Sequence, residues 1–333
     1  MIAVTGANGL LGSYVVRTLL QHQEPFLAIK RKDSDISLLR DVNKEITWYD
    51  ADVLDIVSLN EAFRNVTHVV HTAAVVSFNP TRAKQLMEIN VEGTRNVVNA
   101  CLANGVKRII HVSSVAALGA QKGQTIITEE NKWVDSQHQT AYAKSKYLSE
   151  LEIFRGQEEG ISSVIVSPSA ILADTNWDNS SAQIFKYIWK QTPFYSDGAI
   201  NYVDVVDVAK IIYALLRMPI EAERFIVSAG KMPYKELFGL IAMGFGKKIP
   251  SIRVNKNLLK IGAYFETLRA ILSGSEPRLT KETARIAGTD YLFENRKIVD
   301  RLNFEFQPID KTLQRCCRYY MEKMNVKKQT KTS

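Results

Sequence analysis

An α/β fold with a doubly wound parallel sheet is predicted for this 333-residue chain by three observations. Short, apolar, β-prone runs alternate with helix-periodic segments. Three glycines at regular spacing, Gly6, Gly9 and Gly12, lie between the first such run and the first helical stretch. A Tyr142-x-x-x-Lys146 pair then opens a second long helical stretch, downstream of the paired serines Ser113 and Ser114.

The run Met1 to Val4 leads into TGANGLLG, Thr5 to Gly12, and then into the amphipathic stretch Leu10 to Leu20. That order predicts strand, tight turn, helix. Gly6 permits the turn, Gly9 lets backbone amides approach a pyrophosphate, and Gly12 lets the helix pack close to the strand. The candidate phosphate cradle is therefore Gly6, Asn8, Gly9, Leu10, Leu11 and Gly12, with the helix N-terminus facing the charge.

Further strands are predicted at Pro25 to Ile29, Ile46 to Tyr49, His68 to His71, Arg108 to Val112 and Ile161 to Val166, and long helices at about 82–104 and 140–158. After Pro168 the chain turns aromatic and loop-rich through Asn201, returns to a sheet-like and helical segment at Tyr202 to Leu216, and is then mostly helical. The expected organisation is a dinucleotide-binding domain over 1–167 with a returning segment at about 200–228. A smaller, mostly helical substrate cap would take 168–199 and 229–322, leaving a disordered basic tail at 323–333.

Composition narrows the function classes. With 46% hydrophobic residues the chain can bury a large core, and no apolar run reaches bilayer length. Met1 sits on the first strand, leaving no room for a signal peptide, so a cytoplasmic location is expected. Cys101, Cys316 and Cys317 have no C-x-x-C spacing, so neither a disulfide framework nor a metal site is expected. Part of the net charge of +8 is the tail, with Lys323, Lys327, Lys328 and Lys331. A second basic cluster, Lys247, Lys248, Arg253, Lys256 and Lys260, lacks interleaved aromatics or a recognition motif, so nucleic acid is not an expected partner. It reads as a solvated face, with a weak peripheral membrane contact by the amphipathic 255–274 stretch as the alternative.

Tyr142 and Lys146 are one helical turn apart and share a face. An ammonium beside a phenol stabilises phenolate, which would lower the tyrosine pKa and let it exchange a proton with a hydroxyl or carbonyl. An i, i+4 Tyr/Lys pair alone is an ordinary surface feature; the serines and the glycine turn raise it to a candidate catalytic set.

These motifs resemble the extended short-chain dehydrogenase/reductases, the NAD-dependent epimerase/dehydratase family. The resemblance continues through Asp50-Ala-Asp52-Val53, His71-Thr72-Ala73-Ala74, Asn90-Val-Glu-Gly-Thr94, Tyr202 to Ala209 and Phe293 to Met321. It implies a Rossmann domain in which Tyr142 is the acid/base, Lys146 holds the nicotinamide ribose, and Ser114 bonds the reacting oxygen, with Ser113 the competitor. Asp52 and Val53 would read adenine, against the alternative of a turn carboxylate. Thr72, Ala73 and Ala74 would line ribose and phosphates. Asn90 would steady the adjoining helix, and His71 would be packed. A homodimer through the two long helices is also implied.

At the end of the second strand an NAD-selective site wants a carboxylate, whereas this chain has Lys30-Arg31-Lys32. Arg31 falls where reductase members place a phosphate-binding arginine, so NADP(H) is the expected cofactor and NAD(H) the alternative; Lys30 and Lys32 read equally well as solvated. The segment Val166 to Ala173 resembles that of dihydroflavonol reductases and related hydroxysteroid dehydrogenases rather than the R-x-x-N-V-Y-G-P of sugar-nucleotide enzymes. Pro168 and Ile171 are its candidate cofactor contacts. Ala173-Asp174 stands where the family has Gly-Pro. Trp177, Phe185, Tyr187, Trp189, Phe194 and Tyr195, with Val75, Val76 and Phe78, offer an aromatic wall for a lipophilic carbonyl or alcohol, although Phe185 and Trp189 also fit a core. The expected function is a reductase or secondary-alcohol dehydrogenase. The alternatives are a nucleotide-sugar epimerase or dehydratase retaining NAD, and a non-catalytic NADP sensor.

Overall fold

Residues 1–120, 123–134, 139–177, 180–255 and 290–329 are described by the computed structural model. Of the predicted amphipathic stretch 255–274, everything from residue 256 lies outside them, as do residues 330–333 of the tail. In chain order the elements begin β1 (Ile2–Thr5), α1 (Leu10–Gln21), β2 (Phe26–Lys30), β3 (Trp48–Asp50), α2 (Ile56–Ala62) and β4 (His68–His71). Then follow α3 (Ala83–Leu86), α4 (Gly93–Ala103), β5 (Arg108–Val112), β6 (Ile126–Ile127), α5 (Ala141–Glu158), β7 (Ser162–Pro168), β8 (Ala170–Leu172) and α6 (Gln183–Trp189). The remainder are β9 (Phe194–Ser196), β10 (Ala199–Asp204), α7 (Val205–Arg217), β11 (Glu223–Val227), β12 (Gly230–Pro233), α8 (Tyr234–Gly244), β13 (Ile252–Val254), β14 (Leu292–Phe293), α9 (Arg296–Leu302) and α10 (Ile309–Gln329).

The chain forms two units, one of Met1–Ser169, Val205–Val227 and Glu294–Phe304, the other of the intervening segments. In the first, seven strands run in the order β3-β2-β1-β4-β5-β7-β11, every neighbouring pair parallel. The order reverses between β1 and β4, which opens a crevice at the carboxyl ends of the strands, where doubly wound sheets bind ligands. Strand alternation sends Ala3, Leu27, Ile29, Val69, Ile109 and Ile165 to one face, where they pack with Val97, Val98 and Cys101 of α4 and Ile153 of α5. Helix α1 packs with α7.

In the second unit, helices α6, α8 and α10 accompany short strands. Strand β10 pairs parallel with β8 and antiparallel with β12, and β9 pairs parallel with β13. Its core is built by Phe185 and Ile188 of α6, Leu237 and Ile241 of α8, and Leu313, Cys316 and Tyr320 of α10.

Three boundaries differ from the sequence reading. The returning segment starts at Val205, because β10 pairs within the second unit. Residues Glu294–Phe304 belong with the first unit: Lys297 of α9 pairs with Glu223 at 3.1 Å and lies over the Phe225 ring, both on β11. The presumed disordered tail begins as helix, since α10 continues through Lys323 to Gln329.

Candidate active site

The glycine turn shows its reason in its contacts. Gly6 adopts φ +67°, and a Cβ there would stand 2.7 Å from the Ala73 Cα. A Cβ on Gly12 would stand 2.1 Å from the Gly6 carbonyl oxygen, so α1 reaches the turn only with glycine at that position. Gly9 caps α1 without a side chain, and the Gly9 amide donates to Gly6 O at 2.9 Å. The first-turn amides at Leu10, Leu11 and Gly12 have no carbonyl partner within the helix. Asn8 closes the rim, its Nδ2 donating to Asp35 O at 2.9 Å. The result is a backbone cradle that a Cβ would fill, at the positive end of a helix, and it fits the pyrophosphate of a dinucleotide.

Thr72 Oγ1 donates to Thr5 O at 2.7 Å, which fixes the Thr72-Ala73-Ala74 turn beside the glycines. Asn90 lies in the π-helical segment Met87–Glu92 and is buried. Its side chain accepts from the Val75 amide at 2.8 Å and donates to Val75 O and Ser145 Oγ, both at 2.9 Å. It ties the loop after β4 to α5. His71 is likewise structural: Thr5 Oγ1 lies 2.7 Å from its Nδ1 and Thr94 Oγ1 3.0 Å from its Nε2. Burial first, and the Lys146 charge second, hold His71 neutral with its pKa down to about 3.

Helix α5 begins at Thr140, whose Oγ1 accepts from the Ala143 amide at 2.9 Å. Its buried stripe reads Tyr142, Ser145, Lys146, Ser149, Glu150, Ile153: polar groups occupy most of the positions where a core face is expected. Phe78 packs edge-on against the Tyr142 ring at 5.6 Å. The Ser114 hydroxyl lies beside the Tyr142 phenol and also caps a short helical turn by accepting from Ala116 N at 3.2 Å. Ser113 is directed elsewhere, its hydroxyl facing the Glu150 carboxylate without ordinary hydrogen-bond geometry. Of the two serines, Ser114 is the one the fold brings to the tyrosine.

The expected lowering of the Tyr142 pKa by Lys146 is not what the structure shows. Burial raises it, and the neighbouring Ser114 hydroxyl opposes that rise. Lys146, 3% exposed, instead sends Nζ to Val112 O at 2.8 Å, at the end of β5. Burial brings the Lys146 ammonium down to about 8, against the opposing attraction of Glu150.

Asp52 uses Oδ1 to accept from the Leu54 amide at 3.0 Å, the geometry of a turn carboxylate. Val53 is buried and its carbonyl accepts from Asn96 Nδ2 at 3.0 Å. Lys30 is committed to Asp50 at 2.6 Å, whereas Arg31 is exposed and its guanidinium makes no ion pair among the described residues. Pro168 ends β7 in the first unit; Ile171 lies on β8 in the second, accepting from Ser181 Oγ. The aromatic wall is largely core. Phe185 is fully buried, Trp177 stacks on Tyr320, Trp189 meets Phe245 edge-on, and Tyr187 packs on Phe238; Phe194 is exposed. Among the described residues no helix is long and apolar enough to cross a membrane, and no group of three potential metal ligands gathers.

Residues 2–228 match the family described as NAD dependent epimerase/dehydratase. The chain belongs to this family. It is an extended short-chain dehydrogenase/reductase and an NAD(P)-dependent enzyme of that type. Among its relatives, sterol demethylase protein B of Methylococcus capsulatus is 29% identical over 68% of either chain. Cinnamoyl-CoA reductase 1 of Petunia hybrida is 25% identical over 97% of this chain and 92% of its own. The crystal structure of gox2253 superposes with a TM-score of 0.83 at 27% identity, covering 97% of this chain and 98% of the other. The sequence reading missed Glu150 and Arg224; the one signal for Glu150 is its place one further turn along α5 from Tyr142 and Lys146.

Proposed function

We propose that this epimerase/dehydratase-family enzyme is an NADP(H)-dependent reductase of a lipophilic or aromatic ketone or aldehyde, with the corresponding alcohol as product. The observation that carries the reading is the Tyr142 phenol, buried and in its protonated form at neutral pH, with the Ser114 hydroxyl beside it. A group in that state is an acid, and carbonyl reduction needs an acid at the carbonyl oxygen.

Bound nicotinamide would supply the hydride to the carbonyl carbon. Tyr142 Oη delivers its proton to the developing alkoxide. Ser114 Oγ holds the carbonyl oxygen in line with the phenol and donates to it as negative charge accumulates. Lys146, anchored on Val112 O, offers its remaining N–H groups to ribose hydroxyls. The glycine turn and first-turn amides of α1 bind the pyrophosphate. Arg31 binds a 2′-phosphate, a role supported by its exposure and its lack of an ion pair among the described residues. The substrate class is supported by the likeness to cinnamoyl-CoA reductase 1 and sterol demethylase protein B, by Phe78 against the Tyr142 ring, and by the exposed Val76 two residues before Phe78.

The test is NADPH oxidation over a panel of aromatic, alicyclic and steroidal ketones together with nucleotide sugars, with Tyr142→Phe as blank. Turnover of a lipophilic ketone that the blank lacks is expected. Silence on every ketone, with NAD retained on the purified protein, would overturn the reading in favour of sugar-nucleotide chemistry.

A further inference from the structure

Parallel register lines up His71 of β4, His111 of β5, Ile165 of β7 and Arg224 of β11 in one row across the sheet. Strand alternation places Ser113, two residues beyond His111, on the same face, the face that α5 covers. From α5, Ser149 Oγ lies 3.4 Å from His111 Nε2, and Glu150 Oε2 lies 3.3 Å from Arg224 Nη2, an ion pair rather than an aligned hydrogen bond. Glu150 is 0% exposed. An ionised carboxylate at such a depth is costly unless it compensates nearby cations. It stands between two of them: Lys146, one turn earlier on its own helix, and Arg224 on the facing strand.

We propose that Glu150 is a positioning residue for Lys146, its carboxylate completing a buried row Lys146–Glu150–Arg224 that keeps the lysine an ammonium anchored on Val112 O. The inference rests on the reading of Tyr142 and Lys146 given above. Each group facing the row points the same way. His71 and His111 are held neutral by burial and by the Lys146 charge, so neither offers compensation. Tyr142 is un-ionised, and the attraction opposing the burial of Lys146 comes from Glu150. Burial raises the Glu150 pKa, while Arg224, Ser113 and Lys146 favour its ionised form. Arg224 therefore steadies the carboxylate that in turn steadies the lysine. A purely mechanical role, in which Glu150 pins β11 through Arg224, would leave the lysine proton untouched.

The experiment titrates Lys146 in the full chain, without substrate, by NMR of isotope-labelled lysine, with Lys146→Arg assigning the signal. The wild-type midpoint is expected near 8, and Glu150→Gln is expected to lower it by about one pH unit. Glu150→Asp keeps the charge and should recover part of that shift. An unmoved midpoint in folded Glu150→Gln would overturn the proposal. If that variant does not fold, Arg224→Gln, which removes the cation that steadies the carboxylate, is expected to lower the midpoint as well, and an unmoved midpoint there overturns the proposal. A protein that reduces no carbonyl yet shows the shift refutes the reductase reading and leaves this inference standing; active enzyme with an unmoved lysine does the reverse.

Discussion

The Ser114 hydroxyl lies beside the phenol of Tyr142, and its polarity opposes the rise that burial imposes on the phenol pKa. The pair is thus arranged to deliver a proton, the hydroxyl aligning the acid it also partly tunes. Tyr142→Phe keeps the ring that packs on Phe78 and removes only the proton. Turnover should fall by about 1000-fold or more, with NADPH affinity unchanged by fluorescence titration. Ser114→Ala should cost about 100-fold in kcat, the scale for losing one donor to a developing oxyanion.

Lys146 ties activity to stability with opposite signs. It binds its proton less tightly in the folded chain, at about 8, than at the ordinary 10.5. Below about pH 8 the native state carries the full burden of a buried ammonium, about 3 kcal/mol as an order of magnitude. From about pH 8 to 10.5 the unfolded chain holds the extra proton, so the contribution of this group to stability rises with pH. Lys146→Met should therefore raise the melting temperature at pH 7, raise it less at pH 10, and abolish turnover at both. In the wild type, kcat should decline above about pH 8 as the ammonium is lost.

The helix that carries this chemistry was only half legible in the sequence. The glycine turn declares itself by its flanks, because backbone geometry demands those residues locally, and Tyr142 and Lys146 stand out only in company with it and the paired serines. Glu150 does not, since a glutamate in a charged helix reads as solvated; only the register of β5, β7 and β11 puts Arg224 opposite it. Phe185 and Trp189 carry the right chemistry for a substrate wall and the right spacing for a core, and tertiary packing chose the core. Residues Glu294–Phe304 were misassigned for the same reason: their partner, Glu223, is remote in sequence.

Under the proposed reading, cofactor preference turns on Arg31: Lys30 is spent on Asp50, so the proposed phosphate-binding role falls to the next cation along. Arg31→Ala should weaken NADPH binding by about 10-fold or more while leaving NADH binding within about twofold, since only the 2′-phosphate distinguishes them. Equal losses for the two nucleotides would contradict the 2′-phosphate assignment.

The glycines of the turn should differ in their tolerance. A Cβ at Gly12 meets the Gly6 backbone at 2.1 Å, and neither α1 nor the turn can yield without opening the cradle; at Gly9 the closest approach is 3.1 Å. Gly12→Ala is expected to destabilise the chain by about 2 kcal/mol and to lose dinucleotide binding. Gly9→Ala should cost less stability and show its effect in NADPH affinity. Urea titration and nucleotide binding on the two variants separate these effects.

The departure Ala173-Asp174 from the family's Gly-Pro has a structural account in the second unit. Arg315 of α10 donates Nε to Asp174 Oδ1 at 2.7 Å and Nη1 to both Asp204 oxygens at 3.0 Å. Asp204, only 1% exposed, ends β10, and Gln307 Nε2 also reaches its Oδ2 at 3.1 Å. One planar guanidinium thus joins α10 to the strand and to the segment that follows β8, a geometry a lysine cannot reproduce. Arg315→Met should cost about 3 kcal/mol, because it removes the guanidinium from a buried carboxylate. Adding Asp204→Asn to that variant should recover part of the loss, since the buried charge that Arg315 faced is then removed. Equal and additive losses in the two single variants would show that the triad contributes packing alone.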